Sequence, residues 1–229
     1  MNRVVNVMRM QLINRWIFVG LPLIILGASF ALTLLIWFLV PAGGGMRISG
    51  GSQAVMWYFF ALGIQSLTLT FPFSQGLSIT RRTFFLGTLA LFTLFAVITA
   101  TTYWVLGLIE QATSGWGVDG WFFAPSWIAS GPWYQPIVFY FASMMALFLV
   151  GFWAATIYKR WRATGLLTAG ISVALLLVGT LYVIGSLEAW PQVGEFLGSR
   201  TQLDVAGWLA VLALALAGGS FLTLRRAEP

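Results

Sequence analysis

The sequence predicts an all-α integral membrane protein with six transmembrane helices, and three observations predict it. Six continuous apolar runs lie at roughly 16–40, 54–73, 86–108, 135–156, 165–187 and 204–224. Each is close to the ~20 residues that a helix needs to cross the hydrocarbon core. In lipid every backbone N–H and C=O must pair within its own segment, so such runs are read as helices. A barrel would show stretches of roughly ten residues with alternating polarity instead. The second observation is that the runs carry almost no charge. The third is where the charges fall. Arg3, Arg9 and Arg15 precede the first run, Arg81 and Arg82 follow the second, Lys159, Arg160 and Arg162 follow the fourth, and Arg225 and Arg226 follow the sixth. The alternate gaps hold only Arg47 and Arg200, together with Glu110, Asp119, Glu188, Glu195 and Asp204. The positive-inside rule then places both termini in the cytoplasm.

Taken in order, residues 4–15 precede the first span. Val4, Val5, Met8, Leu12 and Trp16 fall at helical spacing, which predicts a short amphipathic helix in the inner interface. Span one carries Pro22 near its cytoplasmic end, where neighbouring helices are expected to satisfy the freed carbonyl. Pro41 and the run Gly43, Gly44 and Gly45 end it in a flexible outer turn. Span two opens on the aromatic belt Met56-Trp57-Tyr58-Phe59-Phe60. Its inner half turns polar at Gln65, Ser66, Thr68 and Thr70, and Pro72 stops it. Span three carries Thr88, Thr93, Thr99, Thr101 and Thr102, whose hydroxyls bond their own backbone, join helices or line a pathway. The outer loop at roughly 109–134 is rich in Trp, Phe and Gly and is expected on the outer headgroup layer. The small residues of span six make it a candidate packing face.

Composition closes several routes. Cysteine and histidine are absent, which removes disulfides, thiolate sites, zinc-protease motifs and Ser–His catalysis. Lys159 lacks the upstream glycine spacing of a phosphate loop, so the chain has no nucleotide site of that kind. The net charge of +6 reads as topology and contact with anionic inner-leaflet lipid rather than nucleic acid. Charge-free spans argue against a self-sufficient ion-coupled carrier. No loop is long enough for a second domain, so residues 1–229 form one membrane domain. No metal site is expected.

Residues 71–88 join spans two and three and mix polar with apolar residues. Thr80 is placed to cap a helix whose first turn holds Arg81 and Arg82. A short helix presenting polar side chains to the cytoplasm suits docking in a groove on a soluble partner. This stretch resembles the first cytoplasmic loop of ABC-2 type transporter permeases of bacterial, actinobacterial-looking origin. Phe71-Pro72-Phe73, then Gly76, Ser78, Thr80, Arg81 and Arg82, then Phe84-Phe85, carry the resemblance. It implies a plasma-membrane exporter subunit whose coupling helix docks on a separate ATPase. Two ATPase copies, with ATP and Mg on them, and a second permease copy or homologue would complete the transporter. Gln75, Gly76, Ser78, Thr80, Arg81 and Arg82 are the implied docking residues. Gln65, Ser66, Thr68 and Thr70 are the candidate pathway lining. The short connection at about 188–203 departs from relatives that carry a large re-entrant segment there. The alternative is a stand-alone membrane enzyme or an assembly scaffold. For an enzyme only Glu110 and Glu188 offer acids near the outer ends, and both read as solvated charges.

Overall fold

The computed structural model describes residues 3–14, 16–40 and 47–224. The flexible turn expected at Gly43–Gly45, and the basic residues Arg15, Arg225 and Arg226, lie outside the described residues. The chain is almost entirely helical. Among the described residues five helical stretches are long and apolar enough to cross a membrane: Trp16–Leu39, Gln53–Gly76, Arg81–Ala112, Gln135–Ser186 and Gln202–Leu224.

Helix α1 (Arg3–Gln11) ends in a turn at residues 12–13, which separates it from the first of those stretches. Its buried positions are Val7 and Gln11, flanked by the half-buried Val4 and Met8. The amphipathic face therefore runs through 4, 7, 8 and 11, rotated from the expected Val5 and Leu12, which are exposed. The rotation has a packing cause. Val7 lies against Gly87, whose missing Cβ leaves room for it, and Gln11 Nε2 donates to Thr88 Oγ1 at 2.6 Å. Both partners sit in the first turns of α5 (Arg81–Ala112).

A π-helical turn at Trp16–Gly20 leads into α2 (Leu21–Leu39). Pro22 brings no N–H to this turn, and the Tyr58 hydroxyl donates to the Ile17 carbonyl at 2.7 Å. Helix α3 (Gln53–Gln65) repeats the device. It widens into a π turn at Ser66–Thr70, then continues as α4 (Phe71–Gly76) around Pro72. The Phe71 N–H reaches back to the Ser66 carbonyl. That five-residue step relieves the collision a proline ring makes with the carbonyl four residues before it.

Strand β1 (Arg47–Ile48) pairs in parallel with β2 (Gly120–Trp121), and α6 (Ser126–Ala129) comes next in the chain. The fourth and fifth apolar runs form one helical stretch, α7 (Gln135–Ser186), of 52 residues, broken at Arg162 (φ 57°, ψ −156°). At 1.5 Å per residue this is about 78 Å, more than twice a hydrocarbon core. The break turns the chain back. The start of α9 (Gln202–Leu224) meets Ser130 through Gln202, and its end meets Thr156 through Thr223, so α9 runs parallel to residues 135–161. Phe196, in α8 (Trp190–Gly198), stacks on Trp208 near the start of α9 at 5.9 Å. The chain is thus back at its starting end by Phe196, and residues 163–186 are the return leg. Nearly every side chain of that leg is exposed.

The core lies where residues 135–161 pack against α3, α5 and α9. Phe92 of α5 stacks on Phe148 at 4.0 Å and 20°. The α3 contact is closest, because glycines face backbone in both directions. A Cβ on Gly63 would lie 2.2 Å from the Phe148 carbonyl oxygen, and one on Gly151 would lie 2.1 Å from that of Phe60. Small residues allow this approach between apolar helices.

Candidate functional site

Two regions at the Arg81 end of the bundle hold the residues singled out in the sequence. The first is the turn after α4. No separate helix fills residues 77–80. The short helix expected there is α4 itself, continuous with α3, and the Thr80 cap serves the long helix α5. Thr80 has extended backbone (φ −67°, ψ 146°), and its Oγ1 accepts from the Thr83 N–H at 3.3 Å. Gln75 is half-buried and its Nε2 donates to the Ile79 carbonyl at 3.1 Å, closing the turn. Ser78 is exposed with a left-handed backbone (φ 56°). Gly76 is exposed, with nothing near the space a Cβ would take.

The two arginines separate. Arg82 is exposed. Arg81 is half-buried and its Nη1 donates to the Leu224 carbonyl at 3.2 Å, at the C-terminus of α9. A cation there meets the negative end of the helix dipole. Arg81 therefore has a structural task within the fold. Beside the turn, Arg3 and Asn6 of α1 join Leu77, Ser78, Ile79 and Thr80 around a cavity of about 360 Å³.

The second region is a pocket of about 280 Å³ between α1, the π turn at Trp16–Gly20 and the π turn of residues 66–70. Gln65, Ser66 and Thr70 line it, so three of the four pathway candidates share one wall. Thr68 does not. It is exposed on another face, and its hydroxyl donates back to the Ile64 carbonyl at 3.1 Å. Ser66 is buried and donates to the Leu62 carbonyl at 2.8 Å. Gln11, on α1, faces the same pocket and was not anticipated from sequence. Its Oε1 is buried without a hydrogen-bond partner. The span-three hydroxyls Thr99, Thr101 and Thr102 all donate to carbonyls four residues back on their own helix.

At the opposite end the structure corrects one expectation and refines a second. Glu110 is not a solvated charge but is fully buried. Its carboxylate accepts from Trp116 Nε1 at 2.7 Å and from the backbone N–H groups of Phe122, Phe123 and Ala124 at 2.8–3.1 Å. Nor is the 109–134 loop turned outward throughout: Trp127, Trp133 and Tyr134 are exposed, but its middle packs inward. Phe122, Phe123, Ala124 and Ile128 are buried. The Tyr140 hydroxyl donates to the Phe123 carbonyl at 2.5 Å, and Phe30 meets Trp116, Phe122 and Phe123 edge-on or tilted. Aromatic-rich loops next to a membrane helix read as interfacial, yet here a carboxylate gathers the loop amides and pulls the rings inward. Only the position of Glu110, two residues before the end of a long apolar helix, hinted at this. Glu188 is exposed, as expected.

Among the described residues no group of three or more acids is placed to hold a metal ion. Compared with known proteins, the chain matches no family model, no curated protein and no solved structure.

Proposed function

We propose that this chain is the membrane-embedded permease subunit of an ABC-type exporter, worked by a separate ATPase that docks on the 73–85 turn. In this reading the chain crosses the bacterial plasma membrane six times with both termini inside. The return leg 163–186 supplies the fifth crossing, and its exposed Leu175, Leu176 and Leu177 meet acyl chains or a second permease copy.

One observation carries the reading. The exposed turn from Gly76 to Arg82 is fastened to several helices at once. Gln75 ties it to α4, the Thr80 cap makes it the first turn of α5, and Arg81 grips the end of α9. A force applied there by a partner reaches three long segments without passing through a flexible linker. The adjoining cavity beside Arg3 offers that partner a concave, basic surface.

The test is co-purification with an ATPase encoded beside the chain. Arg82→Glu combined with Gly76→Trp alters only exposed positions, so the fold should hold while association and ATPase stimulation fall at least tenfold. Arg81 is left intact because it holds Leu224. Unchanged association and stimulation in this double variant would overturn the docking assignment. A wild-type chain that recruits no ATPase would overturn the transporter reading itself.

A further inference from the structure

The pocket between α1 and the two π turns has features that the docking reading does not use. Several of its polar groups are unspent. Gln11 is 5% exposed, and its amide has one atom in a bond to Thr88 and the other in none. Either orientation of that amide leaves one of its polar atoms unsatisfied. Gln65 and Thr70, half-buried on the facing wall, form no side-chain hydrogen bond among the described residues. A buried polar atom without a partner is costly, and more so where no water competes for it. That buried oxygen, together with two unpaired half-buried groups on the same small cavity, points to a hydrogen-bonding occupant.

The rest of the wall defines that occupant. Among the described residues no charged side chain lines the pocket. Ile17, Phe18 and Leu62 form its floor, and the exposed Ile13, Leu69 and Phe73 form its rim. The volume of about 280 Å³ lies near the lower bound for small-molecule sites, so a head and the first methylenes fit while a tail leaves past the rim. Hydroxyls both donate and accept, so they suit amides and a threonine in any orientation. The π turn builds the wall by widening the helix at residues 66–70, a distortion often found at functional sites.

We infer that this pocket binds a single-chain amphipath with an uncharged, hydroxyl-bearing head, reached sideways from the inner leaflet. The inference rests on the membrane reading for its setting and names the cargo class that an exporter would collect there.

The test uses the full chain in lipid nanodiscs and a monoacylglycerol with a photoreactive diazirine in its acyl chain. Crosslinking should be saturable, map to residues 62–73, and be displaced by unlabelled monoolein but not by oleate. Gln65→Leu should weaken labelling about tenfold, and Leu69→Trp, at the exposed rim, should block it. Thr68→Val, one helical face away, should leave it unchanged. Labelling spread evenly over all apolar helices, or indifference to both Gln65→Leu and Leu69→Trp, would overturn the site. The readout needs no ATPase. A chain that binds but never recruits an ATPase overturns the transporter reading alone, and one that recruits it but shows no site overturns this inference alone.

Discussion

Glu110 shows how much one side chain organises. Ser114, Trp116 and Asp119 all have positive φ, as do Gly115 and Gly117. Left-handed backbone at residues other than glycine costs about 1 kcal/mol or more each, so something must hold this loop. The carboxylate supplies it, because a charged acceptor strengthens each N–H bond it receives. Glu110→Gln keeps the shape but turns an NH₂ toward backbone N–H donors. It should destabilise the chain by about 2–3 kcal/mol, the scale of a hydrogen bond to a charged group left unmade. Thermal unfolding in detergent checks this, and an unchanged midpoint would show that the loop is held by its rings alone. Trp116→Phe should cost less, about 1 kcal/mol, because one donor of several is lost.

Helix contacts pose a different question, that of how closely two segments approach. At Gly63 and Gly151, α3 and residues 135–161 touch backbone to backbone. Gly151→Ala puts a methyl within 2.1 Å of the Phe60 carbonyl oxygen, and a carbonyl cannot swing aside. The helices must separate, at a cost of about 1–3 kcal/mol for overpacking. Gly170→Ala and Gly179→Ala meet nothing within 4 Å and should be neutral or slightly stabilising. Equal melting of all three variants would refute the close crossing. The prolines act at the same scale. Pro22 and Pro72 each follow a π turn by two residues, after Trp16–Gly20 and after Ser66–Thr70. Pro72→Ala should let the turn tighten toward α-helix and carry Thr70 off the pocket wall, which reduced amphipath crosslinking would report.

Across the whole molecule seven of the nine described basic residues, Arg3, Arg9, Arg81, Arg82, Lys159, Arg160 and Arg162, gather at one end, while Arg47 and Arg200 lie with Glu110 and Asp119 at the other. The proposed six crossings rest on this polarity and on the return at Arg162. The chain has no cysteine, so single introduced thiols read topology directly. In intact cells an impermeant maleimide should label Ser199→Cys and spare Ser78→Cys and Lys159→Cys. Permeabilised cells should label all three. Labelling of Lys159→Cys and Ser199→Cys from the same side would remove the fifth crossing, leaving residues 163–186 at the surface.

The apolar runs by themselves determined that the chain is helical and where its long segments lie, because in lipid a backbone pairs within its own helix regardless of its neighbours. Charge position was equally legible, since it needs only counting. The Thr80 cap was readable too, being a bond between residues three apart. Other features depended on what the helices meet. Val7 and Gln11 form the buried face of α1 because Gly87 and Thr88 lie beneath them. Arg81 leaves the docking surface because Leu224 ends beside it. Thr68 leaves the pocket because a π turn, not an α turn, sets its direction. Glu110 is buried because amides from residues 122–124 fold over it. Apart from Thr68, whose turn is local, each is a contact between residues distant in the chain, and periodicity carries no information about which segment will arrive opposite. The tertiary structure alone decided those three.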